Sequence, residues 1–122
     1  MATILVIDDD SQFLGYLEEI LSSEGHTVET ANDGKKGLLL INQKKFDLLI
    51  TDIFMPEKDG VELLREIRGS KKGMKIIGVS GGGKNYDPRE ALSIAKMLGA
   101  DKTLNKPFTK RNLLPLVQEL LE

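Results

Sequence analysis

The sequence has 122 residues, no cysteine and a formal net charge of −2 at pH 7. This length predicts one domain with a single core, and the lack of cysteine excludes disulfides and thiolate metal sites. The small net charge gives no electrostatic reason to expect nucleic acid or an anionic membrane as a partner. No apolar run approaches the ~18 residues of a membrane span, and the first residues lack the pattern of a secretory signal. We therefore expect a cytoplasmic protein.

Short apolar runs predict the strands of a buried sheet. Strands are expected at residues 4–7, 26–30, 47–51, 75–80 and 101–104, of which the second and fifth have the weaker pattern of edge strands. Between and after them, apolar residues recur at helical spacing and predict five helices. The apolar stripes cover residues 13–21, 38–41, 61–67, 91–98 and 113–121.

Local signals predict where several helices begin and end. Acid-x-x-Glu patterns that start at Asp59 and Asp87 are typical of capping boxes, with Pro88 at the first helical position. Gly25 and Gly99 stand where a left-handed helix end is expected. Pro115 lies inside the last stripe, so that helix either starts late, near residue 112, or is kinked in its first turns.

The steady alternation of strand and helix predicts an α/β protein with a doubly wound parallel sheet. Right-handed crossovers would place helices on both faces of that sheet. Nothing in the sequence indicates a linker, so residues 1–122 are expected to form one domain without an output domain.

Polar side chains occupy the positions where the predicted strands end. They are Asp8, Asp9 and Asp10 after the first strand, Asp52 at the third, Ser80 at the fourth and Lys106 after the fifth. Ligands of open α/β sheets bind beyond the carboxyl ends of the strands. These side chains are therefore expected at one rim of the sheet.

Converging carboxylates repel each other, and a hard divalent cation would neutralise them. Oxygen ligands at a site open to solvent favour Mg²⁺, with Mn²⁺ as a substitute. Lys106 supplies a mobile cation suited to a phosphate oxygen, and Ser80 supplies a hydroxyl. A carboxylate nucleophile, a metal, a lysine and a hydroxyl together indicate a phosphoryl-transfer site. Asp10 is better explained as a helix N-cap than as a ligand.

Four segments in this order resemble the signature of bacterial response-regulator receiver domains, and the resemblance spans essentially the whole chain. The segments are 6–10 (VIDDD), 52–56 (DIFMP) with 59–60 (DG), 79–80 (VS) and 106–108 (KPF). The resemblance implies a flavodoxin-like (βα)5 fold with strand order 2-1-3-4-5. That order would set the first strand beside the third.

The resemblance also implies a role for each acid. Asp52 would accept a phosphoryl group from a phosphohistidine on a histidine kinase or phosphotransfer protein. Asp9, Asp52 and the backbone carbonyl of Phe54 would bind Mg²⁺ directly, and Asp8 would act through water. The protein would then be a phosphorylated switch or relay component, and not a turnover enzyme.

For the remaining motif residues, the resemblance implies that Lys106 and Ser80 hold phosphate oxygens after transfer. The bond between Lys106 and Pro107 is usually cis in this family. Phosphorylation would change the binding of a downstream protein that the sequence does not name, by a monomer or by a phosphorylation-dependent dimer.

Two alternatives remain open at this stage. Thr103 stands where the family commonly has a switch aromatic, which keeps open a phosphorylation-independent interaction module, a pseudo-receiver. Residues 78–85 (GVSGGGKN) are similar to the phosphate-binding loop of nucleotide hydrolases. Asn85 stands where that loop needs Ser or Thr, and the next helix is predicted to wait for Asp87 and Pro88. Nucleotide hydrolysis is therefore the weaker alternative.

Overall fold

The computed structural model describes residues 1–53, 60–67, 73–80, 88–97 and 99–122. Strands and helices alternate along the chain, as the apolar pattern predicts. The elements are β1 (Thr3–Ile7), α1 (Ser11–Ser23), β2 (Thr27–Ala31), α2 (Gly34–Gln43), β3 (Leu48–Asp52), α3 (Gly60–Ile67), β4 (Lys75–Ser80), α4 (Pro88–Met97), β5 (Lys102–Asn105) and α5 (Lys110–Leu121). Both ends of every predicted strand lie within one residue of the ends of an observed strand.

The five strands form one parallel sheet in the order β2-β1-β3-β4-β5. This is the flavodoxin-like order implied by the family resemblance, and the α/β fold class is confirmed. Ile7 of β1 pairs with Thr51 of β3, and Ser80 of β4 pairs with Asn105 of β5. Asp52 of β3 pairs with Val79 of β4, so the carboxyl ends of these four strands are level with one another.

Both faces of the sheet are buried, because alternate residues of each strand enter different cores. Leu5 and Ile7 of β1 pack with residues of α2 and α3. Ile4 and Val6 pack on the opposite face with residues of α1 and α5. All five residues of β3 are buried, which explains the apolar run from Leu48 to Ile50.

Several predicted helix ends are confirmed. The Asp10 side chain caps α1 by accepting hydrogen bonds from the backbone N–H groups of Gln12 and Phe13. Gly25 and Gly99 have φ values of 91° and 106°, a conformation that favours glycine at helix ends. Helix α4 begins at Pro88, as predicted. The capping acids Asp59 and Asp87 lie outside the described residues.

Helix α5 begins before residue 112, where one of the two alternatives for Pro115 places its start. It starts at Lys110 and contains Pro115, so the late start near residue 112 is wrong. The Asn112 side chain accepts a hydrogen bond of 3.0 Å from the backbone N–H of Thr109, which defines the first turn. Proline removes one backbone donor from the helix, while the buried Leu113 and Val117 hold this helix on the sheet.

Gly37 of α2 allows the helix to approach β1 closely. A Cβ atom at this position would overlap Ile7 Cδ1 and lie 2.9 Å from Ile7 Cγ1. The close packing of this helix on the sheet therefore depends on the missing side chain.

At the amino-terminal edge of the sheet, two acids tie neighbouring strands together. Thr3 N donates to Asp47 Oδ2 at 2.9 Å, and Lys75 N donates to the Asp47 carbonyl at 3.0 Å. Asp101 N donates to the Ile76 carbonyl, and Ile76 N donates to Asp101 Oδ2, both at 2.8 Å. Within the described ranges, no helix has the length and apolar character needed to cross a membrane.

Candidate functional site

Three carboxylates meet at the carboxyl edge of β1 and β3. Asp8 follows β1 and is 1% exposed, Asp52 ends β3 and is 6% exposed, and Asp9 is exposed to solvent. One oxygen from each side chain lies within 4.8 Å of one oxygen from each of the other two. The sequence prediction that Asp8, Asp9 and Asp52 converge is confirmed.

The sheet register and the start of α1 fix the position of Asp8. The pairing of Ile7 with Thr51 brings the residue after β1 beside the last residue of β3. Asp8 N donates to the Ala31 carbonyl at 3.2 Å, and Asp8 Oδ1 accepts from Asp10 N at 2.9 Å. The Asp8 backbone is therefore anchored to the end of β2, and its carboxylate is held by the backbone N–H of Asp10.

Lys106 reaches the same site from the end of β5. Its backbone N–H donates to the Ser80 carbonyl at 2.6 Å, and its peptide bond to Pro107 is cis, as the resemblance implies. Lys106 Nζ lies 2.7 Å from Asp8 Oδ2 and 3.5 Å from Asp52 Oδ2. The lysine side chain is 18% exposed, so this ion pair is largely shielded from water.

Burial raises the pKa of Asp8, and the hydrogen bonds from Lys106 and the Asp10 backbone oppose that rise only in part. Burial alone would lower the pKa of Lys106, but the hydrogen bond to Asp8 and the charge of Asp52 outweigh it and raise the pKa. Both directions favour the protonated form. The causes differ, because the pKa of Asp8 is raised mainly by its burial, whereas the pKa of Lys106 is raised by the neighbouring carboxylates of Asp8 and Asp52.

Two further predicted residues lie beside this cluster. Ser80 ends β4 and is buried, next to the backbone of Lys106. Thr103 lies in β5, is partly buried and pairs with Gly78. Phe54, whose carbonyl is implied as a metal ligand, lies outside the described residues, as does the glycine-rich segment 81–87.

One contact at the site was not predicted from the sequence. The Phe13 ring of α1 lies beneath the Lys106 ammonium, with Nζ 4.2 Å from the ring centroid. The apolar stripe places Phe13 among the core residues of α1. Its position in the first turn, five residues after Asp8, is the signal that could have indicated a place at the rim.

The donor set of the three acids is compatible with a divalent metal. All the donors are carboxylate oxygens, which hard cations such as Mg²⁺ and Ca²⁺ prefer. Three carboxylates and one ammonium carry two net negative charges when all are ionised. A divalent cation would balance that charge, so the acidic triad could bind a metal.

A family model described as the response regulator receiver domain matches residues 4–118. The chain belongs to this family. The receiver domain is 36% identical over 121 residues to the transcriptional regulatory protein CpxR of Klebsiella pneumoniae, and equally identical to GlrR of Escherichia coli. The match covers 99% of this chain, but 50% of CpxR and 26% of GlrR. This chain thus spans about half the length of CpxR and about a quarter of the length of GlrR.

Solved structures of similar length share the fold. A CheY-like receiver domain protein from Methanospirillum hungatei is 36% identical and has a TM-score of 0.90, with 99% of this chain and 94% of that chain covered. A receiver domain protein from Clostridium thermocellum is 32% identical with a TM-score of 0.88, over 99% and 94% of the two chains. The family resemblance derived from the sequence motifs is confirmed.

Proposed function

We propose that this receiver domain is a phosphorylatable signalling switch or relay, in which Asp52 accepts a phosphoryl group in a Mg²⁺-dependent reaction. The observation that carries the proposal is the cluster at the carboxyl edge of the sheet. There Asp8, Asp9 and Asp52 converge, and Lys106 Nζ lies within 3.5 Å of the proposed acceptor.

The transfer forms one bond and breaks one bond. An Asp52 carboxylate oxygen attacks the phosphorus atom of a phosphohistidine, and the phosphorus–nitrogen bond breaks. The electron pair of that bond returns to the imidazole, which takes a proton from solvent. The product is an acyl phosphate on Asp52. Receiver domains generally accept their phosphoryl group from a histidine kinase, so we expect a histidine kinase or a phosphotransfer protein as the donor.

The chain's own groups position and neutralise the phosphoryl oxygens. Lys106 Nζ has three donors, and a short movement from Asp8 would bring it to a phosphoryl oxygen. Ser80 would donate its hydroxyl to another oxygen from the end of β4. Such positioning and charge neutralisation supply most of the catalysis in phosphoryl transfer.

The metal would be held by Asp9 and Asp52 directly, with the Phe54 carbonyl, and by Asp8 through water. Both oxygens of Asp8 already accept a hydrogen bond, one from Asp10 N and one from Lys106 Nζ, which favours an indirect role. When bound, Mg²⁺ would offset the negative charge that two reacting anions bring together.

The output of the switch is a change in the binding of another protein, by a monomer or by a dimer formed on phosphorylation. Receiver domains typically act in the cytoplasm, and we expect the same here. CpxR and GlrR are named as transcriptional regulators, but this chain matches only part of each. For residues 1–122 we propose a protein partner, without contact to nucleic acid or membrane.

Intact-mass measurement with a small phosphodonor tests the proposal. The protein is incubated with phosphoramidate or acetyl phosphate, with and without Mg²⁺, beside Asp52→Asn and the matched control Asp10→Asn. Asparagine keeps the N-cap at position 10, so this control changes a neighbouring acid without removing the acceptor. We expect a base-labile, Mg²⁺-dependent gain of one phosphate in wild type and control, and none in Asp52→Asn. No gain in the wild type would favour the phosphorylation-independent interaction module.

A further inference from the structure

The ammonium of Lys106 rests on an aromatic ring as well as on carboxylates. Its Nζ lies 4.2 Å from the centroid of Phe13, well inside the range of about 6 Å for a cation–π contact. The Lys106 side chain is 18% exposed, and such contacts are stronger where the cation has lost water. Because the ammonium is largely shielded, few water molecules compete with the ring for it.

The Phe13 ring is itself held from two directions. Its backbone N–H donates to Asp10 Oδ1 at 3.2 Å, which fixes the first turn of α1. The buried Phe108 ring meets it edge to face, with centroids 5.5 Å apart and an interplanar angle of 86°. Because Phe108 follows Lys106 by two residues, one chain segment supplies both the cation and the partner of the ring.

These contacts form a closed cycle of interactions that begins and ends at Asp8. Asp10 N donates to one oxygen of Asp8, and Asp10 in turn caps Phe13. The Phe13 ring supports Lys106 Nζ, which donates to the other oxygen of Asp8. The start of α1 and the end of β5 are thereby linked through the lysine side chain.

An aromatic ring has a property that a further carboxylate would lack. It attracts the ammonium without accepting a proton or adding a charge to a site that already has an excess of negative charge. It also restricts a flexible lysine, whose ordering costs side-chain entropy. Lys106 Nζ keeps its hydrogen bonds to Asp8 Oδ2 and Asp52 Oδ2 while it rests on the ring, so the lysine is ordered before a phosphoryl group arrives.

We infer that Phe13 is a positioning residue for the phosphoryl transfer, which holds Lys106 Nζ beside Asp8 and within reach of Asp52 through a cation–π contact. The inference rests on the proposed function, because the lysine is assigned to the phosphoryl oxygens. Phe13 does not touch the reacting atoms and acts through Lys106.

Fluorinated phenylalanines at position 13 test the inference with little change of shape. The 4-fluoro, 3,5-difluoro and 3,4,5-trifluoro analogues progressively weaken the negative potential of the ring face while keeping its packing. The rate of phosphate gain from phosphoramidate at saturating Mg²⁺ should fall in that order, by roughly 2- to 30-fold in total, the range of a cation–π contact. The same series at Phe46 is the matched control. This buried ring has Lys44 Nζ 5.9 Å from its centroid and precedes β3 at the opposite edge of the sheet.

Thermal unfolding checks that each analogue is folded. A second readout is the upfield shift that the Phe13 ring should impose on the Lys106 side-chain protons, which should vanish in Phe13→Leu. A flat rate series in a protein that gains phosphate normally would overturn the positioning role and leave the proposed function intact. Equal declines at positions 13 and 46 would also overturn it. If the wild type gains no phosphate, the proposed function fails and the positioning role fails with it.

Discussion

Lys106 Nζ lies 2.7 Å from Asp8 Oδ2 but 3.5 Å from Asp52 Oδ2. The lysine therefore forms its shorter ion pair with the acid beside the proposed acceptor, and not with the acceptor itself. Asp8 is 1% exposed, so this pair is the more shielded of the two. In the proposed reaction, the lysine can turn toward a phosphoryl oxygen with its stem already at the site.

Replacing Lys106 by Met should destabilise the metal-free protein by about 1–3 kcal/mol at pH 7, because the buried Asp8 carboxylate loses its charged partner. Urea unfolding measures the change in the free energy of unfolding. Lys102→Met is the control, since Lys102 pairs with Glu119 at 3.2 Å on an exposed surface, where a pair contributes about 0–1 kcal/mol. Equal effects of the two substitutions would contradict the importance of the Asp8 pair.

The raised pKa of Asp8 predicts a pH dependence of stability without metal. In the folded protein the pKa of Asp8 lies above its ordinary value of 3.8, so at pH values between the ordinary and the raised pKa the folded state binds more protons than the unfolded state. The contribution of Asp8 to the free energy of unfolding therefore falls as pH rises through this interval. Asp8→Asn should remove that contribution.

This comparison is made by urea unfolding in EDTA, as the difference between wild type and Asp8→Asn at each pH. The free energy of unfolding of the wild type, relative to that of Asp8→Asn, should decrease as pH rises. Asp33→Asn is a suitable control, because Asp33 caps α2 through Lys36 N and asparagine caps equally well. A difference that is constant with pH would show that Asp8 ionises normally in the folded protein.

Mg²⁺ should raise the unfolding temperature of the wild type, because a ligand of the folded state alone stabilises it. At a Mg²⁺ concentration of 100 times Kd, the gain is about 2.7 kcal/mol. Asp9→Asn and Asp52→Asn should reduce this gain strongly, whereas Asp10→Asn should retain it. A gain unchanged in the first two variants would place the bound metal away from the acidic triad.

Gly37→Ala should destabilise the fold by about 1–3 kcal/mol, the usual cost of overpacking, since the added Cβ would overlap Ile7 Cδ1. Ile7→Val removes that Cδ1 atom. The double variant should therefore lose less stability than the two single losses added together. Strict additivity in chemical unfolding would show that the cost of Gly37→Ala does not arise from the overlap with Ile7 Cδ1.

Much of this molecule could be predicted from local patterns. Buried strands produce unbroken apolar runs, and the bounds of β4 were predicted without error because Ser80 ends such a run. The acids at strand ends were placed together because parallel strands end at one edge. The strand order came from the family resemblance, since periodicity does not specify which strands are neighbours.

Other features depend on long-range contacts that local patterns do not contain. The start of α5 was uncertain because Pro115 opposes a helix locally, whereas packing of Leu113 and Val117 on the sheet favours one. The apolar stripe predicts only a core position for Phe13, because its contact with Lys106 joins positions 93 residues apart. The Phe54 carbonyl stays a prediction.

The bonds at the amino-terminal edge provide an internal reference for hydrogen-exchange experiments. The amides of Thr3, Lys75 and Ile76 are each bonded to Asp47 or Asp101, far from the acids at the other end of the strands. Because two of these bonds are exposed, exchange of these amides should follow local opening of this edge. An added ligand that slows exchange at the carboxyl edge alone would then act locally, whereas slowing of these amides as well would show that the stabilisation extends to the opposite edge.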